Sequence, residues 1–400
     1  MLNIAYTVNH VYIKYLYVSL MSLLECNANN AISVNILSFD LVKEDKDLIT
    51  ELVRNYGKTI YFYDIDDIDV FVDKASEGYG VEVYLRLYMP FVLKGVSKVL
   101  FLDADTIIQN DLVELFETDL KGHALAACLD SKLGQNSLKS RNDIFCRGDD
   151  LRYFNAGVMI WNLDYIRENI SFEDYLHTID LFGNRLFYND QDVLNYLFCG
   201  KIIDLGTHMY NFMPDMFFGT EAFDELIQSA RIIHYAGCNP WKAGKNDRID
   251  SVIWWGYAQR TPFYEEIVEE ALRSTASSLN EIKKKMEIYQ AYSEFKLNGR
   301  SLKDCEIVDD SRSIVIYGAG AWGRLLLEEM GELAAKVKYI VDKRDRGKIN
   351  GHIVEGVDRI AEDTSIDLII ITPYKYVDEI RKELETIVNV PIISVKELFS

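Results

Sequence analysis

The stretch VLFLDADTII, residues 99–108, sets two carboxylates, Asp103 and Asp105, at the end of an apolar run that reads as a buried strand. Around it, LNIAYTV (2–8), AISVNILSF (31–39), TIYFYDI (59–65) and HALAACLD (123–130) are further short apolar or β-branched runs. Residues 11–25 and 43–56 carry apolar spacing closer to a helix. This alternation predicts an α/β sheet covered by helices. EVYLRLYMPFVL (82–93) is expected to be a helix that bends near Pro90, with Arg86 about one turn before the bend. YFNAGVMIWNL (153–163), NDQDVLNYLF (189–198) and ARIIHYAG (230–237) read as strand, helix start and strand, and complete a first domain over residues 1–260.

With 400 residues, 49% of them hydrophobic, the chain can bury one large core and a second, smaller one. The six cysteines, Cys26, Cys128, Cys146, Cys199, Cys238 and Cys305, include no CxxC pair, which argues against a zinc ribbon or dithiol chemistry. They read as buried small hydrophobes in a reducing compartment. The N-terminus enters a strand pattern at once, and no window reaches the roughly 18 uncharged apolar residues of a membrane helix. A soluble, cytoplasmic protein is expected. Its formal charge of −20 disfavours nonspecific attraction to nucleic acid and would repel an anionic nucleotide unless a cation or local basic residues intervened.

A helical linker is expected over residues 261–312. Within NEIKKKMEIYQAYSEFKLNGR (280–300), Ile282, Met286, Tyr289, Tyr292 and Phe295 fall along one face. The lysines read as a solvated basic face, with a membrane-surface or subunit contact as the alternative. Residues 313–400 form a second unit: SIVIYGAGAWGRLLLEEM is strand, glycine turn and helix, and VKYIVDKRD, IDLIIITPY and VPIISVKEL add three more strands. Gly318, Gly320 and Gly323, with Asp342 placed 19 residues beyond Gly323, have the spacing of a dinucleotide fingerprint. The unit resembles the small Rossmann-like modules found beside sugar-processing enzymes. Fewer than 90 residues is short for a full two-half fold, so an assembly or degenerate nucleotide module is the competing reading.

In extended chain, residues i and i+2 share a face, so Asp103 and Asp105 can converge. Two ionised carboxylates held together repel, and a hard divalent cation such as Mg2+ or Mn2+ is the simplest compensation. Capping of the next helix and a plain surface pair are the alternatives. His234, at another strand-to-loop transition, adds a nitrogen donor and tilts the choice toward Mn2+.

Four segments in order, FLDADT, YFNAGVMIWNL, NDQDVLN and HYAGCNPW, resemble glycosyltransferase family 8, especially its bacterial lipopolysaccharide galactosyl- and glucosyltransferases, over residues 1–260. The resemblance implies a GT-A fold, UDP-glucose or UDP-galactose as donor, Mn2+ and transfer with retention of configuration. It makes Asp103, Asp105 and His234 the metal ligands, with Ala104 between the two aspartates in the donor site. A cation between these carboxylates and the donor diphosphate also answers the electrostatic problem of an acidic protein.

By the same resemblance, Arg86 in YLRL contacts phosphate, and Thr7, Asn9 and Tyr12 belong to the nucleotide pocket. Many relatives have an acidic pair where Asn9 and His10 stand. Asp130 matches a contact to donor sugar hydroxyls, and Asn155, Ala156 and Gly157 match the segment beside donor and acceptor. Asp190 and Gln191 match residues beside the reacting carbon, while Asp192 reads as orienting or capping the adjacent helix. Gly237 allows backbone access to phosphate. Where the family places a lysine before Pro-Trp, this chain has Asn239, and Lys242 is the cation that can replace it.

No glutamate pair of the ordinary retaining-glycosidase kind is evident, which favours same-face substitution with Gln191 or Asp190 stabilising positive charge. Two other classes compete: a noncatalytic sugar-nucleotide sensor or assembly protein, and an oxidoreductase built on GAGAWG, against which the missing second half counts. The acceptor is expected to be a glycan of unidentified kind. A lipid-linked acceptor would bring the enzyme to the inner face of a membrane without an anchor, and self-association would run through the linker or the C-terminal domain.

Overall fold

The computed structural model describes the chain apart from residues 72, 73, 75–79, 131–151, 219, 221, 243–248 and 344–346. The apolar run that ends in the two aspartates is β4 (Lys98–Leu102), preceded by β1 (Leu2–Thr7), β2 (Ile32–Ser38) and β3 (Thr59–Asp64). Val99 and Phe101 enter one core cluster, while Leu100 and Leu102 enter the other. A strand buried on both faces needs an unbroken apolar sequence, which is why this segment does not alternate. β5 (Thr106–Ile108), β6 (Leu125–Leu129), β7 (Phe154–Asn162), β8 (Ile202–Asp204) and β9 (Ile232–His234) follow.

The main sheet runs β3-β2-β1-β4-β7-β6-β8. β1 pairs in parallel with β2 and β4, and β7 runs antiparallel to both β4 and β6. The helices Ile13–Cys26 and Lys43–Asn55 pack on it, as the spacing predicted. Residues 82–93 depart from expectation. Val81–Tyr88 is a 3-10 helix, followed by one α-turn, Met89–Val92, with Pro90 in its first turn, where the missing N–H leaves no bond unmade.

The chain divides into two compact units, Met1–Leu272 and Arg273–Ser400, and the division falls inside the helix Tyr264–Leu297. No helix among the described residues is long and apolar enough to cross a membrane. No disulfide joins the five described cysteines, and Cys146 lies outside the described residues.

The second unit has β10 (Ile314–Tyr317), β11 (Val337–Val341), β12 (Gly347–Ile349), β13 (His352–Glu355), β14 (Leu368–Ile371) and β15 (Ile392–Ser394), in the order β12-β13-β11-β10-β14-β15. The four expected strands are parallel neighbours, and the β12–β13 hairpin extends one edge. The apolar face proposed for residues 280–300 needs correction. Ile282, Met286 and Tyr289 are 57%, 61% and 46% exposed, whereas Ile288, Ala291 and Phe295 pack into the core of this unit. Glu281 and Glu287 flank that buried face and pair with Lys375 at 3.0 Å and Lys396 at 2.7 Å, which fixes its rotation.

In the glycine turn, Gly318 has φ +111°, and a Cβ there would lie 2.4 Å from Thr372 Oγ1. A Cβ on Gly323 would lie 2.2 Å from the carbonyl oxygen of Gly318, whereas Gly320 faces open space. Asp342 accepts a hydrogen bond from the Ala319 N–H at 2.8 Å, so this acid braces the turn itself. Gly323→Ala is expected to destabilise this unit by ~1–3 kcal/mol through overpacking against backbone. Gly320→Ala should leave stability within ~0.5 kcal/mol, and thermal denaturation of the two variants beside the wild type checks the contrast.

Candidate active site and metal centre

The site begins where β4 ends. Its partner β7 pairs Leu102 with Val158, and the Asp103 N–H then donates to the Gly157 carbonyl at 2.8 Å. Thr106 Oγ1 donates to the Asp103 carbonyl at 2.8 Å, closing a turn that carries Asp103, Ala104 and Asp105 into β5. The two carboxylates therefore converge through a turn between strands, and the strand alternation expected from sequence is not what aligns them. β5 runs antiparallel to β9 with Thr106 opposite His234, which brings the imidazole beside them.

His234 Nε2 lies 3.3 Å from Asp105 Oδ1 and 3.6 Å from Asp103 Oδ2. One donor atom from each of the three residues falls within 4.8 Å of the others. Two carboxylates and an imidazole suit a divalent cation of the Mn2+ or Mg2+ type. The neighbouring backbone is shaped around this cluster. A Cβ on Gly157 would lie 2.2 Å from His234 Cε1 and 2.6 Å from Asp103 Oδ2, so only glycine leaves room for both ligands.

Burial pushes the Asp105 carboxyl up, but His234 and the Asn239 carboxamide, 3.0 Å from Oδ2, outweigh it and hold the group below its ordinary value. Burial opposes charge on His234, and Asp105 overcomes it and raises the imidazole. Arg86 is the fixed cation of the site. Its Nη2 donates to Asp103 Oδ1 at 2.9 Å, its Nη1 to the Ala156 carbonyl at 2.7 Å, and its Nε lies 3.0 Å from Asp190 Oδ2. The guanidinium also rests on the Phe101 ring, 4.4 Å from its centroid. Burial pushes the Asp190 carboxyl up to about 7, with Arg86 pulling it down and Asp103 adding to the rise.

These groups line a pocket of about 610 Å3, within the size range of small-molecule sites. Of the residues singled out from sequence, Arg86, Asp103, Asp105, Asp130, Asn155, Asp190, Gln191, His234 and Gly237 share its wall. Gln191 donates from Nε2 to Asp130 Oδ2 at 2.9 Å and accepts at Oε1 from the Ala156 N–H at 2.9 Å.

Thr7, Asn9, Tyr12, Ala104 and Lys242 are outside that lining. Asn9 Oδ1 accepts from the Tyr12 N–H at 3.0 Å as a helix cap, Ala104 enters the core, and Lys242 is exposed. Burial, and then the charge of Asp105, push the Tyr12 hydroxyl up to about 12. Asp192 accepts from the Phe187 and Tyr188 N–H groups at 2.7 and 3.0 Å, a structural use. Asn211 went unnoticed in the sequence. It is fully buried and holds His234 Nδ1 at 2.9 Å. An asparagine in a loop has no periodicity or motif to mark it.

Sequence comparison agrees with this geometry. The profile described as Glycosyl transferase family 8 matches residues 3–244. The chain belongs to glycosyltransferase family 8. Lipopolysaccharide 1,2-glucosyltransferase of Escherichia coli is 28% identical over 250 residues, 60% of this chain and 73% of that protein. Glycosyltransferase GlyB of Streptococcus pneumoniae is 25% identical over 268 residues, 64% of this chain. The chain spans 61% of the length of GlyB and 64% of a Haemophilus influenzae relative that is 28% identical. Among solved structures, galactosyltransferase LgtC in complex with donor and acceptor sugar analogs superposes with a TM-score of 0.58 at 23% identity, covering 65% of this chain and 96% of that one. The GT-A expectation is thereby borne out for the first unit, with a smaller α/β unit following it. Family 8 membership and the Asp103, Asp105 and His234 cluster make this unit a metal-dependent glycosyltransferase domain that uses a nucleotide-sugar donor.

The Arg86 bridge carries a pH-dependent expectation. Asp190 titrates near 7 in the fold against 3.8 ordinarily, so folding takes up a proton between those values and stability falls as pH rises through them. Arg86→Met removes the compensation for two carboxylates. In metal-free protein it is expected to cost about 3–5 kcal/mol at pH 8 and less at pH 5, read from urea unfolding at both pH values.

Proposed function

We propose that the protein is a retaining hexosyltransferase that moves glucose or galactose from UDP-glucose or UDP-galactose to a glycan acceptor. The observation that carries the reading is the convergence of Asp103, Asp105 and His234 on one wall of a pocket whose polar lining also includes Arg86, Asp130, Asn155, Asp190 and Gln191. A divalent ion held by the three ligands, Mn2+ by preference, supplies positive charge for the diphosphate and for the negative charge that grows on the UDP leaving group.

The chain's own residues then have distinct tasks. Arg86 donates to Asp103 and the Ala156 carbonyl and pairs with Asp190, so its part is to hold those two carboxylates in place and lend positive charge to the diphosphate. Asp130 and Asn155 bind and orient donor sugar hydroxyls. Gln191 is clamped through both ends of its carboxamide, a rigid dipole suited to facing the positive charge that develops at the anomeric carbon. Asp190 supplies a second oxygen to that carbon's surroundings.

Of the further carboxylates on the pocket wall, Asp130 accepts from Gln191 and Asp190 pairs with Arg86, so both are engaged by protein partners, which supports same-face substitution over attack by a protein carboxylate. Thr7, Asn9 and Tyr12 form the approach for the nucleotide base, Ala104 packs between the ligands, Gly237 leaves its backbone open to phosphate, and Lys242 contributes cationic charge beyond Trp241. The named activity of the E. coli relative favours a surface glycan such as lipopolysaccharide as acceptor, and such an acceptor would place the enzyme at the inner face of the membrane.

Time-resolved UDP release with each UDP-sugar, with and without Mn2+, needs no knowledge of the acceptor. Mn2+-dependent release is expected, falling at least about 100-fold in the Asp103→Asn, Asp105→Asn double variant. Release that ignores Mn2+, or that survives the double substitution, overturns the reading.

A further inference from the structure

A chain of buried amides runs from the sugar side of the pocket to the metal side, and its direction is fixed. The Ala156 N–H can only donate, so the atom of Gln191 it meets at 2.9 Å is the carbonyl oxygen Oε1. The same oxygen accepts from Asn155 Nδ2 at 3.2 Å, while Gln191 Nε2 donates to Asp130 Oδ2 at 2.9 Å. A second backbone donor, the Gly157 N–H, independently fixes the other end of Asn155. It lies 3.0 Å from Oδ1, which must therefore be an acceptor.

Asn211 points its Nδ2 at that same oxygen at 2.9 Å. Its remaining atom, Oδ1, then faces His234 Nδ1 at 2.9 Å. A carbonyl oxygen accepts and cannot donate, so Nδ1 must carry the proton. Flipping Asn211 would set its oxygen against Asn155 Oδ1, and flipping Asn155 in turn would set an amino group against the Gly157 N–H. Both reversals leave like groups facing each other in a buried site, which is costly.

We infer that Asn211 is a positioning residue that keeps a proton on His234 Nδ1, so that Nε2, beside Asp103 and Asp105, is the nitrogen given over to a metal when one binds. The inference rests on the metal reading of the site and extends it to a residue on a separate loop. A histidine that ligates through Nε2 needs a partner to hold its other nitrogen, and here that partner is an amide held through Asn155, whose own oxygen is fixed by the Gly157 N–H, and not a carboxylate. The same chain ties the metal ligand to Asn155 and Gln191, so both sides of the pocket share one set of hydrogen bonds.

The test compares full-length wild type, Asn211→Leu and Asn211→Asp for Mn2+ affinity without donor, read from free Mn2+ by electron paramagnetic resonance. Asn211→Leu keeps the bulk and removes the acceptor, and should weaken Mn2+ binding by about 10–100-fold. Asn211→Asp keeps an acceptor for Nδ1–H but sets its other oxygen against Asn155 Oδ1, so it should bind Mn2+ more tightly than Asn211→Leu while falling short of wild type. Equal binding by wild type and Asn211→Leu, or equal loss in both variants, overturns the positioning role. No Mn2+ binding by wild type overturns instead the metal reading beneath it. In the Zn2+-loaded protein, 15N-histidine spectra, with the His234 signals identified by their absence in His234→Gln, should show a protonated Nδ1 and a metal-shifted Nε2. The reverse pattern refutes the tautomer assignment directly.

Discussion

The repulsion among Asp103, Asp105 and Asp190 is the constraint around which the first unit is arranged. Asp103 and Asp105 follow the end of a doubly buried strand and Asp190 opens the helix Asp190–Leu197 beside them, in a protein of formal charge −20 where distant charge offers no relief. Arg86 answers part of it from inside, bridging Asp103 and Asp190 through separate nitrogens with its guanidinium over the Phe101 ring. The imidazole of His234 answers another part. What remains is a concentrated negative field at the pocket wall, and that residue of uncompensated charge is what a divalent ion and its diphosphate partner would satisfy together.

Much of this was legible before any coordinates. The unbroken VLFL run read as a buried strand, and the Asp-X-Asp that ends it, with His234 far along the chain, suggested a cation site that the family resemblance turned into a ligand set. Other features were hidden for physical reasons. Over two turns, apolar spacing does not separate a period of 3.0 from 3.6, so Val81–Tyr88 read as an α-helix. The segment 280–300 is apolar on more than one face, and only the cores it meets decide that Ile288 and Phe295 are covered while Ile282 and Met286 are not. The convergence of Asp103 and Asp105 was expected for the wrong reason, since a turn held by Thr106 produces it.

The glycines divide in the same way between shape and chemistry. Gly157 is required because two metal ligands occupy the space a side chain would fill, whereas Gly318 is crowded by Thr372 and Pro373 at the end of the neighbouring strand and Gly323 by the turn's own backbone. A fingerprint spacing in sequence cannot separate these cases. In the second unit the acid at the end of β11 bonds the turn's own backbone, so the motif accounts for a stable strand-turn-helix whatever else it does.

The ladder between β5 and β9 joins segments that are more than a hundred residues apart, and it does so through only three residue pairs. All three metal ligands sit at one end of this short splice. An ion bound there acts as a clasp on a very long loop, holding shut a junction whose own hydrogen bonds are few. Binding there would add its own free energy to the stability of this corner, so the chemistry of the site would also serve as a fastening of the fold.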